Sequence, residues 1–369
     1  MDNECDFPRQ PGRTRTILVT GAAGVVGQAL LPRLIAGPDG GRSTGRRIGI
    51  GHNADVIALT HHREITVPGA TAVRGSITAP QLGLSVPDYE ALADRVDVVV
   101  HSAAMTGFNQ ADGQHTTINV DGTREVLRFA AHANAPVVHV STAFLHPTDD
   151  PEHPRKSVRY AESKRAGEEL VRASGVPHTI VRPSIVIGHS TTGETSAFQG
   201  VYQVSAALMK GMLPLLPFER VWPFDLIPCD VVADAIATVV EHNLFGREFW
   251  LTAGDNALTV DQAVQLLVRF ARSTGRLIDQ PRFVAPDMYH RLIAPVFLDA
   301  LPRGMRMAVS SLMDLFIDYV SMPEPFPSSL TELAEHGAAA TFDAGDNLLA
   351  SLDFWHEATG QSARREAVA

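Results

Sequence analysis

The sequence holds only two cysteines, Cys5 and Cys229, in 369 residues. Two thiols cannot build a disulfide framework, and their scarcity fits a reducing, cytoplasmic setting. Positive charge is also short: 31 Lys and Arg face 41 Asp and Glu, a formal net charge of −10. That argues against nucleic acid, whose binding needs a basic stripe, although Arg42, Arg46 and Arg47 form a local cluster. No uninterrupted apolar run reaches about 18 residues, so no membrane-spanning helix is expected. The opening MDNECDFPRQPGR lacks an apolar core, so no secretory leader is read. Internal repeats and low-complexity stretches are missing, as is the Gly-x-Ser-x-Gly elbow of esterases. No helical His-x-x-x-His has a carboxylate companion, so no metal site is expected despite 15 histidines.

What is present is a 45% hydrophobic, 20% charged chain, ample for a large core. Its length suggests two domains, or one large α/β unit with an appendage. Short apolar runs at Thr16–Thr20, Asp55–Leu59, Ala70–Val73, Val96–Val100, Val137–Val140 and Thr179–Val181 read as strands. Helical patterns alternate with them over 26–35, 89–93, 120–132 and 160–173, which implies right-handed βαβ units and a parallel sheet. After Pro183 the pattern changes to a Gly-, Pro- and Thr-rich stretch with one helix near 201–212. A helix over 231–241, a strand over 248–252 and helices over 259–272 and 285–318 follow. Residues 37–54 read as a long loop, and the last fifty or so residues are mixed.

Thr20-Gly21-Ala-Ala23-Gly24-Val25-Val26-Gly27 follows a strand and opens a helix. Such a turn brings backbone N–H groups to a pyrophosphate, and the helix N-terminus favours its charge. The third glycine permits close helix–strand packing. Gly21, Ala23, Gly24, Val25, Val26 and Gly27 are therefore candidate dinucleotide contacts. The second strand ends Leu59-Thr60-His61-His62-Arg63, with none of the carboxylates that usually hold an NAD ribose. Thr60, His61 and Arg63 are candidate contacts there. Arg63 could meet a 2′-phosphate, which favours NADPH over NADH.

Tyr160-Ala-Glu-Ser-Lys164 places a phenol and an ammonium on one helix face. A nearby cation stabilises phenolate, so a lowered Tyr160 pKa is expected, suiting proton transfer near neutral pH. Upstream, Ser141-Thr142 closes a strand at the carboxyl edge where open α/β sheets bind ligands. A hydroxyl there can donate to a carbonyl oxygen that becomes an oxyanion. The two side chains alternate in direction, so at most one points at the site.

The ordered set TGxxGxxG, His101-Ser102-Ala103-Ala104, Asn119-Val-Asp-Gly122-Thr123, Ser141-Thr142, Tyr160-x-x-x-Lys164 and Arg182-Pro183 resembles an extended short-chain dehydrogenase/reductase. Within that family, Gly75–Leu84, Val140–Phe144 and Thr179–Ser190 are most similar to thioester reductases and fatty acyl-CoA reductases of the male-sterility type. The resemblance spans about residues 15–255. It implies Thr142, Tyr160 and Lys164 as catalytic hydroxyl, acid and lysine, with Ser141 and Asn119 in support. It places Ser102, Ala103 and Ala104 along the cofactor, Ser76 and Ile77 near its adenine, and Pro183 and Ile185 at the nicotinamide. Met105, Thr106, Phe108 and Phe144 are the candidate substrate contacts. Two departures stand out: Gly75-Ser76 replaces the usual Gly-Asp, and Leu59-Thr60-His61 replaces the frequent Leu-x-Arg.

The expected fold is α/β: a Rossmann-type doubly wound parallel sheet with a smaller, discontinuous, mostly helical substrate cap. Residues 1–14 are expected to form a flexible arm, 15–182 with 225–256 the dinucleotide domain, and 183–224 with 257–369 the cap. The apolar spacing over 285–318 reads as core, as a pocket for an apolar chain, or as a membrane-surface helix. The expected activity is reduction of an acyl thioester, on CoA or on a carrier protein, to aldehyde or alcohol. This length leaves no room for a carrier domain, so a carrier would come from another chain. The alternatives are a dehydrogenase, epimerase or dehydratase acting on a sugar nucleotide, steroid or small ketone, and a non-catalytic NADP-binding regulator.

Overall fold

The computed structural model describes residues 14–37, 54–106, 113–145, 157–285, 288, 289, 291 and 323–366. The arm up to residue 13, the loop over 38–53, Cys5, Phe108 and nearly all of the helical stretch expected over 285–318 lie outside the described residues.

Strands β1 (Arg15–Thr20), β2 (Ala54–Thr60), β3 (Ala70–Arg74), β4 (Val98–His101), β5 (Val137–Val140) and β6 (His178–Pro183) join Glu248–Leu251 in one seven-stranded sheet. Every neighbouring pair is parallel. The order is Glu248–Leu251, β6, β5, β4, β1, β2, β3. The chain builds outward from β1 to β3, then crosses back to β4 and builds the other way. The reversal opens a crevice at the carboxyl ends of β1 and β4, the place where such sheets take dinucleotides.

The inner strands read as unbroken apolar runs because both faces of the sheet are covered. Their two-residue period divides the core. Ile17, Val19, Val56 and Val98 pack with α1 (Val25–Ala36) and α6 (Cys229–Glu241) through Leu30, Leu31, Val232 and Ile236. Leu18, Ile57, Val99 and Val137 face α2 (Val86–Ala93), α3 (Gly122–His132) and α4 (Ser157–Ala173) through Leu92, Phe129 and Val171. Arg33 ties α1 to α6 by donating to Asp234 at 2.6 Å and Glu241 at 2.7 Å.

A second core joins α5 (Val201–Met209), α7 (Val260–Ser273) and the long helix Ala344–Glu366 around Val204, Leu208, Val264, Leu267, Leu348 and Leu352. Ile185 and Ile187, just beyond β6, belong to it. Leu330, Leu333 and Ala338 instead share the core of β1, α1 and α6, so part of the stretch assigned to the cap from sequence packs against the nucleotide-binding half. Two elements differ from the sequence expectation. Ala344–Glu366 is one 23-residue helix within the stretch read as mixed, its apolar positions being interleaved with Asp, Asn, Ser and Gln. The helix expected from Val120 is preceded by a widened π-helical turn, Thr116–Asp121, carrying buried Asn119.

Candidate active site

Gly21 leaves β1 with φ +71, and a Cβ there would lie 2.5 Å from the Ala103 nitrogen. Only glycine lets the turn and the loop after β4 touch. At Gly27 a Cβ would meet the Gly21 oxygen at 2.3 Å, so this glycine lets α1 start directly against the turn. Helix α1 begins at Gly24 with no side-chain cap. Its first-turn N–H groups, contributed around Val25, Val26 and Gly27, therefore have no intrahelical acceptors and face the crevice. This chemistry fits a pyrophosphate.

At the end of β2, Thr60 Oγ1 turns to the Val73 carbonyl at 3.4 Å, whereas His61, His62 and Arg63 are exposed. Gly75 is buried, and a Cβ would strike the Leu82 carbonyl oxygen at 2.5 Å. Ile77 fills the space a side chain at Gly122 would need, its Cδ1 lying 2.7 Å from that Cβ position. Ser76 Oγ pairs with Thr78 Oγ1 at 2.9 Å.

At the end of β5, Thr142 and Ser141 separate. The Thr142 hydroxyl hydrogen-bonds the Tyr160 phenol and accepts from the Phe144 N–H at 3.3 Å. Ser141 Oγ is buried with no hydrogen-bond partner among the described residues. Thr142 is thus the hydroxyl at the tyrosine. Lys164 is 3% exposed and donates from Nζ to the Val140 carbonyl at 2.8 Å. Burial pushes the Tyr160 pKa up to about 12, opposed by the Thr142 hydrogen bond. Burial also pushes Lys164 down to about 8, opposed by the charge of Glu168. Burial thus raises the phenol pKa where the Tyr-x-x-x-Lys spacing led to the expectation of a lowered one. Near neutral pH, Tyr160 is a protonated acid.

Asn119 holds the far wall. Its Oδ1 accepts from the Met105 N–H at 2.7 Å. Its Nδ2 donates to the Met105 carbonyl at 3.1 Å and to Ser163 Oγ at 2.9 Å. Met105 is therefore fixed through its backbone, while exposed Thr106 reaches Gln199 Oε1 at 3.4 Å. The Phe144 ring stands edge-on to Phe326, centroids 5.4 Å apart, and Phe326 stacks with Trp250 at 6.1 Å. Ser102, Ala103 and Ala104 lie half-buried at the crevice. Pro183 and Ile185 flank the junction with the second core, where the Ser184 N–H donates to the Leu251 carbonyl at 3.0 Å.

Three features escaped the sequence reading. His101 lies in a buried chain with Thr20 and Thr123; its place in His-Ser-Ala-Ala was the available signal. Asp225 is 2% exposed and accepts from the Ala253 and Gly254 N–H groups at 2.9 and 3.1 Å. Burial lifts its pKa to about 6. Glu168 holds Arg182 through Nε at 2.9 Å and a terminal nitrogen at 2.7 Å, which locks α4 to β6. Among the described residues, no group of three or more His, Cys, Asp or Glu could hold a metal ion. No described helix is long and apolar enough to cross a membrane.

A glycine turn at the crossover of a parallel sheet, with threonine, tyrosine and lysine gathered at the end of β5, defines an NAD(P)-binding chain of the extended short-chain dehydrogenase/reductase class. Residues 60–236 match the family described as male sterility protein, an NAD-binding domain. It is 27% identical over 267 residues to a linear gramicidin synthase protein of Brevibacillus parabrevis, a match covering 65% of this chain and 5% of that protein. It is 27% identical over 280 residues to carboxylic acid reductase of Segniliparus rugosus, covering 63% of this chain and 23% of that protein. The chain thus spans only a small part of the length of these curated relatives. In fold it is similar to the terminal R domain from the myxalamid PKS-NRPS biosynthetic pathway, with a TM-score of 0.71 and 23% identity, covering 95% of this chain and 93% of that one.

Proposed function

We propose that this chain is an NADPH-dependent thioester reductase. The observation that carries the reading is the Thr142–Tyr160 hydrogen bond at the carboxyl edge of β5, with the Lys164 ammonium anchored behind it. Held at the glycine turn, NADPH would supply the hydride equivalent that the acyl carbon needs. As the C–H bond forms, the carbonyl π pair moves to oxygen, where the Thr142 hydroxyl donates to it. Tyr160 gives that oxygen its phenolic proton, leaving a hemithioacetal on the substrate. Lys164 then stabilises the phenolate. Collapse of the hemithioacetal re-forms C=O, breaks the C–S bond and releases aldehyde and thiol. A second reduction of the aldehyde would give the alcohol.

The exposed Arg63 beyond β2, next to His61 and His62, supports NADPH over NADH, because a guanidinium there suits a 2′-phosphate. Residues 15–182 with 225–256 act as the nucleotide-binding domain in this reading, and 183–224 with 257–369, apart from the segment around Leu330–Ala338 that packs on the nucleotide-binding half, supply the substrate cap. The relatives named for a peptide synthase and a carboxylic acid reductase support an acyl thioester, and with it a carrier protein as partner. A reducing cytoplasm suits the buried thiol of Cys229.

The test mixes the purified chain with NADPH or NADH and separate acyl-CoAs, acylated carrier proteins, aldehydes, ketones and UDP-sugars. NADPH consumption with thioesters, abolished in Tyr160→Phe, is expected. Turnover confined to sugar nucleotides or ketones, or binding without turnover, would overturn the reading.

A further inference from the structure

The hydrogen-bonded neighbours of His101 leave one arrangement of protons. Thr123 Oγ1 donates to the Asn119 carbonyl at 2.7 Å. Having spent its only hydrogen, this hydroxyl can meet His101 Nε2, 3.1 Å away, only as an acceptor, so Nε2 carries a proton. Burial, with the Lys164 charge adding to it, pushes the His101 pKa down to about 3, so the ring is neutral and Nδ1 is bare. Nδ1 must then accept from Thr20 Oγ1 at 2.8 Å. Thr20 Oγ1 in turn accepts from the Ala103 N–H at 3.3 Å. Every donor in this series points the same way.

The series continues beyond Asn119. Its Nδ2 donates to Ser163 Oγ at 2.9 Å, which donates to the Tyr160 carbonyl at 2.7 Å. One run of bonds therefore connects the loop after β4, which touches the glycine turn, to the first turns of the helix bearing Tyr160. The His139 ring packs on the imidazole, 5.3 Å between centroids. His139 is itself buried with neither nitrogen partnered among the described residues, and its pKa is also held well below the ordinary value by burial.

We propose that His101 is a positioning residue, a neutral imidazole protonated on Nε2 that couples the Gly21–Ala103 contact to the placement of Tyr160. The inference rests on the reductase reading for its kinetic consequence but not for its tautomer. His101 touches neither substrate nor the phenol. It fixes the distance between the two walls of the crevice, and a displacement of about 1 Å between reacting groups lowers rates by about a hundredfold.

The test has two arms on the full chain. In the first, histidine-15N spectra of wild type, with His101 assigned by its loss in His101→Gln, are recorded from about pH 5.5 to 8. A protonated Nε2, a bare Nδ1 and no titration are expected; an Nδ1–H tautomer or a titrating ring overturns the proposal. In the second, His101→Phe is expected to lower kcat at least about tenfold with the thioester KM within about twofold. His101→Gln, whose amide N–H can reach Thr123, should recover part of the loss. A folded His101→Phe with wild-type kcat overturns the proposal. If that variant does not fold, Thr20→Val and Thr123→Val each cut one end, and unchanged kcat in both has the same force. The spectra need no turnover, so a chain that reduces no thioester fails the functional reading while the tautomer is still decided.

Discussion

Lys164 Nζ donates to the carbonyl of Val140 at 2.8 Å, which pins the helix bearing Tyr160 to the strand end bearing Thr142. In the proposed mechanism the lysine thereby sets the spacing of acid and oxyanion donor as well as the charge behind them. Its near-complete burial makes that charge sensitive to pH.

A pH limb follows. Lys164 loses its proton as pH rises through about 8, whereas Tyr160 keeps its own to about 12. Thioester reduction should therefore fall above about pH 8 with one limb, and Lys164→Arg, which stays charged, should lose or shift it. The same group bears on stability. Its folded pKa lies below the ordinary 10.5, so the unfolded chain binds more protons between about 8 and 10.5. Stability from this group rises with pH through that window, and at neutral pH its charge opposes folding. Lys164→Met should thus melt higher than wild type at pH 7 while losing activity; a lower melting temperature would contradict the burial argument.

Thr142 and Ser141 should separate cleanly. Thr142→Val is expected to lower kcat by about 10²–10³, with Thr142→Ser near wild type. Ser141→Ala should stay within about twofold, because its hydroxyl has no partner among the described residues and the Tyr160 contact belongs to Thr142. Steady-state kinetics on the three variants decides this.

The glycine turn should tolerate no side chain at its first position. Gly21→Ala would put Cβ 2.5 Å from the Ala103 backbone nitrogen at φ +71, so NADPH affinity should drop at least about tenfold. At Gly24 the nearest atom to an added Cβ is the Gly21 oxygen at 3.2 Å, and Gly24→Ala should be milder. Fluorescence titration of bound reduced nicotinamide measures both.

Glu168→Gln should destabilise the fold. Arg182 is 7% exposed and its two contacts to Glu168 are the most buried it has; Glu248, its other partner, is 42% exposed. Losing the buried counter-charge leaves Arg182 only the more exposed carboxylate of Glu248, which should cost up to about 3 kcal/mol, measurable by urea unfolding. Glu248→Gln should cost much less.

Much of this was legible in the sequence because local signals agreed with one another. Ile17, Val19 and Leu18 alternate between two helix layers, and the run had to be apolar whichever face each residue took. Gly21 and Gly27 could be read because backbone crowding admits nothing larger. Tyr160 and Lys164 were legible as a pair, but the direction of their pKa shifts was not: it depends on burial, which spacing does not encode. Thr142 and Ser141 could be told apart only through the family resemblance, since strand alternation says that they diverge but not which one meets the helix. The π-helical turn at Asn119 and the tautomer of His101 arise from contacts between residues far apart in the chain. The helix over 344–366 was hidden by its thin apolar stripe.

Hydride transfer to a thioester is the central claim. The most direct measurement incubates the chain with an acyl-CoA and NADPH deuterated at C4, each face in a separate sample, and analyses the products by mass spectrometry. The account predicts aldehyde or alcohol carrying deuterium at the former acyl carbon from one of the two samples, together with free CoA thiol, and neither product from Tyr160→Phe. Thioester left intact while the deuterated cofactor reduces only ketones or sugar nucleotides, or is not consumed at all, would contradict it.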